Sequence, residues 1–215
     1  MKRFLPFLIV IAVALITLGG GYALYRSKKI AVPSAASGTA GGIHVRGEAN
    51  APVTIEEFGD FQCPPCGTMS GALHKLSVEH RSRLRLIFHH FPLAMHAHAR
   101  EAAIAAEAAH EQGKFWEMHD VLYKEQALWS KAPDVPALLD GYAASIGLDV
   151  ARFKRDLVNP EVAARVDADQ KLGTSRGVTS TPTLFLNNSQ LPASELNEPS
   201  LEKAIETALH PPPKK

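Results

Sequence analysis

Cysteine is scarce in this sequence: there are only two among 215 residues, and both lie in Cys63-Pro64-Pro65-Cys66. The chain therefore cannot build a network of structural disulfides, and no second C-x-x-C pair exists to complete an all-cysteine zinc site. Imidazoles would have to complete a zinc site, which is the alternative to a redox pair. The two prolines make the turn short and stiff, which favours disulfide geometry over metal binding.

An excess of charge of either sign is also missing. Lys and Arg together number 23 and Asp and Glu 22, so the formal net charge is +1. Because the chain has no basic face and no Arg-rich arm, nucleic acid is not expected as a partner. Internal repeats are absent as well. The 46% of hydrophobic residues suffices for one sizeable core.

Residues 4–25 lack every ionisable side chain except tyrosine and follow Met1-Lys2-Arg3. This apolar run is long enough to span a bilayer. The same order of charge and apolar residues is typical of a secretory signal. We expect residues 1–29 to be an uncleaved membrane anchor, with a cleaved signal as the alternative. Either would place the remaining chain outside the cytoplasm.

Beyond this segment, residues 30–42 are rich in small residues and predict a flexible linker. A single folded domain is predicted for residues 43–210. The proline- and lysine-rich residues 211–215 predict a solvated tail.

The first half of the domain has the pattern of a βαβ unit. Apolar residues alternate along residues 53–58 and again along residues 83–91, with a helical segment from residue 65 to about 80 between them. The cysteines therefore lie where a strand leads into a helix N-terminus. Unpaired N–H groups and the helix dipole favour a thiolate at that position.

Helical patterns dominate the middle of the domain. They predict several helices within about residues 96–174, and Asn159-Pro160 is typical of a helix N-cap followed by the first helical residue. A strand at Thr183–Leu186, a short return strand and a helix at Glu198–Leu209 complete the pattern.

This order of elements resembles an α/β thioredoxin fold with an inserted all-helical subdomain, preceded by the N-terminal transmembrane helix or signal segment. The resemblance covers residues 43–210 and is closest to DsbA-like thiol:disulfide oxidoreductases, in particular their membrane-tethered bacterial thioredoxin-4 type. Four motifs carry it: Glu57-Phe-Gly-Asp-Phe-Gln-Cys-Pro-Pro-Cys66, His90-Phe-Pro-Leu93, Phe115-Trp-Glu-Met-His-Asp120 and Gly177-Val-Thr-Ser-Thr-Pro-Thr183.

The resemblance implies that Cys63 is the nucleophile and Cys66 the resolving thiol. Cys63 is also the nearer of the two to the open helix end, where a thiolate is best stabilised. The redox-active disulfide between them would be the only cofactor, and no metal is expected. The residues between them, Pro64 and Pro65, are expected to contact substrate.

Pro182 matches the family's cis-proline beside the disulfide. A cis bond would leave the backbone of Thr181 open to pair with an extended substrate segment. We therefore predict a cis bond and a substrate-binding role for Thr181. An ordinary trans proline at the start of a strand is the alternative.

Glu57 matches the buried acid beneath the active site of DsbA-like proteins. Shielded from water, its carboxyl would have a raised pKa and could exchange a proton with Cys66. A solvated strand residue is one alternative, and Glu56 takes the buried place if the strand register shifts by one residue.

Four histidines cluster at the end of the second predicted strand: His89, His90, His96 and His98. Parallel strands end at the active-site side of an open α/β sheet. We expect these side chains to be solvated or to cap helices, with electrostatic tuning of Cys63 as the alternative.

One departure from the family bears on oxidising power. The best-known DsbA proteins carry a histidine between the cysteines, whereas Pro64 and Pro65 here supply neither an imidazole nor an N–H group. We expect a Cys63 pKa between about 3.5 and about 8.5, and a reduction potential between roughly −120 and −230 mV.

The predicted function is the formation of disulfides in exported polypeptides. The resemblance implies reoxidation by a membrane redox partner of the DsbB or VKOR type, and we expect a monomer. The predicted location is the bacterial inner membrane with the domain in the periplasm or outside the cell, or the periplasm after signal cleavage. A reductase or isomerase in the same compartment is the first alternative, and a redox-inactive peptide-binding chaperone the second.

Overall fold

The computed structural model describes residues 44–211. The anchor or signal predicted at residues 1–29 and the linker predicted at residues 30–42 lie outside the described residues, as do residues 212–215 of the predicted tail. Within the described range, none of the helices combines the length and apolar character needed to cross a membrane.

A five-stranded mixed sheet lies at the centre, with the strand order β1-β3-β2-β4-β5. The strands are β1 (His44–Arg46), β2 (Val53–Gly59), β3 (Leu84–His90), β4 (Thr183–Leu186) and β5 (Ser189–Gln190). β2 and β3 run parallel, with Glu57 opposite Phe88, and the other neighbours run antiparallel. The predicted βαβ unit is therefore confirmed. The sequence patterns did not predict β1, which is three residues long and too short to show an alternation.

The helices in the described part of the chain are α1 (Pro64–His80), α2 (Ala99–His110), α3 (Phe115–Lys124), α4 (Gln126–Trp129), α5 (Val135–Ser145), α6 (Val150–Leu157), α7 (Pro160–Ser175) and α8 (Glu198–Leu209). α1 connects β2 to β3, and α2 to α7 lie between β3 and β4 in the chain. The α/β architecture with an inserted helical subdomain agrees with the prediction. The pattern did not resolve the short helices α4 and α6.

Two apolar clusters determine where the cysteines sit. One lies within the inserted helices, includes the fully buried Trp129 and Phe153, and extends to Cys63 and Cys66. The other fills the space between the sheet, α1 and α8 and includes Ile55. The cysteines are therefore covered by the inserted helices, which shields them from water.

Candidate active site around Cys63 and Cys66

The cysteines are positioned by the first turn of α1. Cys63 is the N-cap residue, and Pro64 and Pro65 occupy the first helical positions, where a missing N–H leaves no helical hydrogen bond unmade. The N–H groups of Cys66 and Gly67 both donate to the carbonyl oxygen of Cys63. Because Pro64 and Pro65 have no N–H, the N–H of Cys66 is the first one in α1.

The two thiols differ in their acidity. Cys63 is 5% exposed and Cys66 is fully buried, and both are free thiols. The side chain of Cys66 donates a hydrogen bond to Cys63, and this bond outweighs burial and lowers the pKa of Cys63 to about 6. Burial raises the pKa of the Cys66 thiol. At neutral pH the site therefore holds a thiolate at Cys63 and a thiol at Cys66.

Thr181 and Pro182 face the first cysteine from the loop before β4. The bond between them is cis, in agreement with the sequence prediction. The carbonyl oxygen of Thr181 lies 3.4 Å from Cys63 Sγ. Four of the predicted site residues are thus brought together at one end of the sheet: Cys63, Cys66, Thr181 and Pro182.

Glu57 is buried on the central strand, 4% exposed. Its Oε1 atom has no hydrogen-bond partner among residues 44–211. Burial raises the pKa of Glu57 to about 8, and the negative charge of Cys63 adds to the shift. Glu57 is therefore mainly neutral at pH 7. When it does ionise, its charge adds to burial and to the Cys63 hydrogen bond in raising the pKa of Cys66.

Glu56 is also buried, because β2 is covered on both faces, but it has partners. Its carboxylate lies 2.7 Å from Arg176 and 3.4 Å from His89. Burial alone would raise the pKa of Glu56, but hydrogen bonds from His89 and Arg176 lower it to about 2. Glu56 is an ion-paired structural residue, and Glu57 is the acid coupled to the thiols.

The expectation of solvated histidines is wrong for His89 and His90, which are both buried. His89 lies between Glu56 and Asp169; burial alone would lower its pKa, but the hydrogen bonds to Asp169 and Glu56 raise it to about 9. His90 Nε2 lies 3.0 Å from Glu107. Adjacent strand residues point to opposite faces of the sheet, so these two side chains do not form one cluster.

The other two histidines lie beyond β3 and have acidic partners. His98 Nδ1 lies 3.1 Å from Glu101, and His96 Nδ1 lies 2.7 Å from Asp60. Asp60 is nearly fully buried and also accepts hydrogen bonds from the N–H groups of Gln62 and Leu93. Sequence reasoning did not single out Asp60, although it stands within the cysteine motif.

Gln126 is a second residue that sequence reasoning missed. Its Nε2 group donates to the carbonyl oxygens of Phe61 and Cys63, at 2.7 and 2.9 Å. A side chain at Gly67 would place its Cβ 3.0 Å from Gln126 Oε1, so the small residue after Cys66 makes room for this contact. No sequence signal links Gln126 to a loop more than sixty residues away.

Two groups of side chains could each bring three metal ligands together: His44, His90 and Glu107, and His80, Glu202 and Glu206. Among residues 44–211, neither group includes a cysteine. Glu107 is also held by Arg165. The described residues thus provide no zinc site that uses Cys63 and Cys66.

A family model described as thioredoxin matches residues 39–207. Among solved structures, BdbD from Bacillus subtilis is 26% identical with a TM-score of 0.68, and the match covers 77% of this chain and 91% of BdbD. Pseudomonas aeruginosa DsbA2 is 27% identical with a TM-score of 0.62, over 76% and 93% of the two chains. A thioredoxin-like oxidoreductase from Silicibacter pomeroyi is 26% identical with a TM-score of 0.66, over 78% and 92%.

Some curated relatives are named as antiporters rather than as oxidoreductases. The Na(+)/H(+) antiporter NhaA 1 of Salinispora arenicola is 42% identical over 145 residues, which are 67% of this chain and 21% of the antiporter. NhaA 3 of Salinispora tropica is 43% identical over the same shares of both chains. The chain thus spans about a fifth of the length of these relatives.

The family match covers most of the described residues, and the solved structures with the same fold include DsbA-like oxidoreductases. The chain belongs to the thioredoxin family, in its DsbA-like branch.

Proposed function

We propose that this protein is an extracytoplasmic thiol:disulfide oxidoreductase that introduces disulfides into exported polypeptides. The observation that carries the proposal is the difference in acidity within one helical turn, with the pKa lowered at Cys63 and raised at Cys66. A thiolate at the N-terminus of a helix attacks or leaves readily, whereas a thiol with a raised pKa one turn further in resolves the mixed disulfide.

In the oxidising direction, a substrate thiolate attacks Cys63 Sγ and the Cys63–Cys66 disulfide breaks. Cys66 leaves as a thiolate and takes up a proton, for which neutral Glu57 is the proposed donor. A second substrate thiolate then attacks the substrate sulfur of the mixed disulfide, and Cys63 leaves as a thiolate. The substrate dithiol loses two electrons, and the enzyme disulfide gains them.

The lowered pKa of Cys63 supports the oxidising direction. A stable thiolate stabilises the dithiol form and makes the disulfide a stronger oxidant. The value of about 6 lies between those of DsbA, about 3.5, and thioredoxin, about 7. We expect a potential between roughly −120 and −230 mV, measured by equilibration with glutathione. A potential near thioredoxin's value of about −270 mV would favour a reductase instead.

Trapping of mixed disulfides tests the division of roles between the two cysteines. With an unfolded polypeptide that carries a disulfide, Cys63 of Cys66→Ser should attack that disulfide, release one substrate thiolate and accumulate a mixed disulfide, because the resolving thiol is missing. Cys63→Ser should trap none and should be inactive in oxidative refolding. Equal trapping by both variants would contradict the assignment. A wild-type protein that neither refolds the polypeptide oxidatively nor reduces insulin would favour the chaperone alternative.

Location and partners belong to the same proposal. Disulfides form and persist outside the cytoplasm, and the apolar run within residues 1–29 would export the domain. We propose a monomer that is reoxidised by a membrane partner of the DsbB or VKOR type. Alkaline carbonate extraction checks attachment: retention in the membrane supports an anchor, and release supports a cleaved signal.

A further inference from the structure

A cavity of about 10 Å³ lies between the sheet, α1 and α3. Buried Glu57 lines it, together with Ser70 and His119. The half-buried Arg46 and the exposed His74 also line it, so the cavity extends from the Glu57 side chain towards the protein surface. Its volume is close to the minimum that holds one water molecule.

His119, which lines this cavity, has one buried hydrogen-bond acceptor without a partner among residues 44–211, its Nε2 atom. Its Nδ1 atom lies 2.8 Å from Asp120 Oδ1. Although burial raises the pKa of Asp120, hydrogen bonds from His119 and Arg46 lower it overall, so the carboxylate only accepts hydrogen bonds and Nδ1 carries the proton. Burial lowers the pKa of His119, so the ring is neutral and Nε2 keeps its lone pair. Within residues 44–211, Nε2 is buried without a partner.

Asp120 connects this histidine to solvent. Its side chain is 45% exposed and forms an ion pair of 2.7 Å with Arg46. Glu57 Oε1 and His119 Nε2 are both buried and unpaired, and both residues border the same cavity. The chain of groups from Glu57 through a water-sized space to His119 and Asp120 therefore ends at the surface.

We propose that His119 relays protons between Glu57 and solvent during thiol-disulfide exchange, a role that rests on the proposed function and extends it. During reoxidation, Cys66 attacks Cys63 Sγ of a mixed disulfide, the new Cys63–Cys66 bond forms, and the partner thiolate leaves. The Cys66 proton passes to Glu57, through one water to His119 Nε2, while the Nδ1 proton passes to Asp120 and to solvent. During substrate oxidation the same proton transfers occur in the opposite direction, from solvent through His119 and Glu57 to Cys66.

The loss of charge at Cys63 in the mixed disulfide favours proton transfer from Cys66 to Glu57. Cys63 carries no charge once it is bonded to a partner sulfur, so the repulsion that adds to the raised pKa of Glu57 is removed. Glu57 then ionises more readily and accepts the proton of Cys66. Because Glu57 is mainly neutral before this step, it must first lose its own proton in order to accept the proton of Cys66, and this loss to solvent is the step that a relay accelerates.

Tyr123 is a less suitable relay, although its hydroxyl is also buried without a partner in the described residues. Burial raises its pKa well above 10, so the hydroxyl retains its proton. Tyr123 does not line the cavity. His90 does not line it either, and its Nε2 is engaged with Glu107.

The test follows reduced protein reacting with oxidised glutathione at pH 7, with acid quenching to separate the mixed disulfide from the Cys63–Cys66 disulfide. His119→Ala should slow the conversion of the mixed disulfide about tenfold or more. The equilibrium potential and the titration of Cys63 should stay unchanged, and added imidazole should restore the rate. His110→Ala, which changes a histidine outside the cavity, should behave as wild type.

Wild-type kinetics in His119→Ala, or a slow rate that imidazole does not restore, would overturn the relay. If His119→Ala does not fold, Asp120→Ala replaces it: a slower conversion at unchanged potential supports the relay, and the wild-type rate overturns it. The variant Glu57→Gln distinguishes a failure of the relay from a failure of the proposed function. A slow Glu57→Gln with a wild-type His119→Ala rejects the relay alone, whereas absence of any exchange at Cys63 and Cys66 rejects the proposed function.

Discussion

At the scale of the residue, the acidity of Cys63 depends on very few donors. Pro64 and Pro65 have no N–H groups, and the pKa of Cys63 is lowered by a side-chain hydrogen bond of Cys66, by a hydrogen bond with Thr181 and by the backbone of Cys66. The absence of an imidazole between the cysteines is thus partly offset by the second thiol. The charge of Asp60 acts in the opposite direction and raises the pKa of Cys63.

The thiolate at Cys63 can be measured directly. In an acid titration of the reduced protein, we expect the ultraviolet absorbance of a thiolate to disappear around the Cys63 pKa of about 6. Cys63→Ser should remove this transition, because the pKa of Cys66 is raised and its thiol stays protonated. A transition near the ordinary cysteine value of about 8.5 would contradict the proposed hydrogen bonding.

Glu57 should lower stability at neutral and alkaline pH. Its pKa is about 8 in the folded protein against an ordinary value of 4.5, so the folded state resists ionisation. The stability associated with the neutral group is complete below about pH 4.5 and is lost as pH rises through about 8. The gain in stability of Glu57→Gln over wild type should therefore rise from about 1 kcal/mol at pH 5 to on the order of 4 kcal/mol at pH 8 in denaturant unfolding.

The same variant should exchange thiols more slowly, because the proposed proton donor is lost. Glu56→Gln is the matched control, since the pKa of Glu56 is lowered by its partners and removing its charge should reduce stability at pH 7. Equal stability changes in the two variants, or wild-type exchange rates in Glu57→Gln from pH 5 to 8, would contradict the assignment of Glu57.

At the scale of the element, buried polar contacts attach the last inserted helix to the sheet. Asp169 on α7 lies 3.1 Å from His89 Nδ1 and accepts the N–H of His90 at 2.9 Å. Gly173 allows the same helix to approach the sheet, because a Cβ there would lie 2.7 Å from Phe91. α7 is therefore held to β3 by charge and by close contact.

Asp169→Asn should destabilise the protein by about 3 kcal/mol at pH 7, because it leaves the charged His89 with one acidic partner fewer. The pKa of His89 is raised from 6.5 to about 9, so its stabilising contribution is complete below about pH 6.5 and is lost as pH rises through about 9. The difference from wild type in urea unfolding should shrink above that pH.

Asp167→Asn provides the control on the same helix. Asp167 pairs with Arg100 at the surface, with its side chain 45% exposed, and exposed pairs contribute only about 0–1 kcal/mol. A loss in Asp167→Asn as large as in Asp169→Asn would indicate a general effect of charge on α7 rather than the buried contact with His89.

At the scale of the whole molecule, all thiol chemistry is confined to one pair. With two cysteines in 215 residues, the protein has no structural thiols that could exchange with its own active site. We expect alkylation trapping in intact cells to find Cys63 and Cys66 mostly as a disulfide, because an oxidase is kept oxidised by its partner. A mostly dithiol population would instead support the reductase alternative, and a Cys63→Ser, Cys66→Ser double variant calibrates the assay.

Local signals determined much of the fold from the sequence alone. Asn159 caps α7 by accepting the N–H of Glu161, and Asn187 and Asn188 adopt the positive φ angles of the turn between β4 and the predicted return strand β5. The strand Thr183–Leu186 and the helix Glu198–Leu209 have the predicted bounds. Such features depend on residues a few positions apart, so a single sequence contains the information.

Tertiary structure alone decided the features that depend on contacts between distant segments. Glu56 and Glu57 look equivalent in the sequence, but one meets Arg176 and the other has an unpaired oxygen near the thiols. His89 and His90 are buried because α2 and α7 supply acidic partners on opposite faces of the sheet. Burial and the distance to a partner charge decide the pKa of each group, and both are set only when the inserted helices pack on the strands.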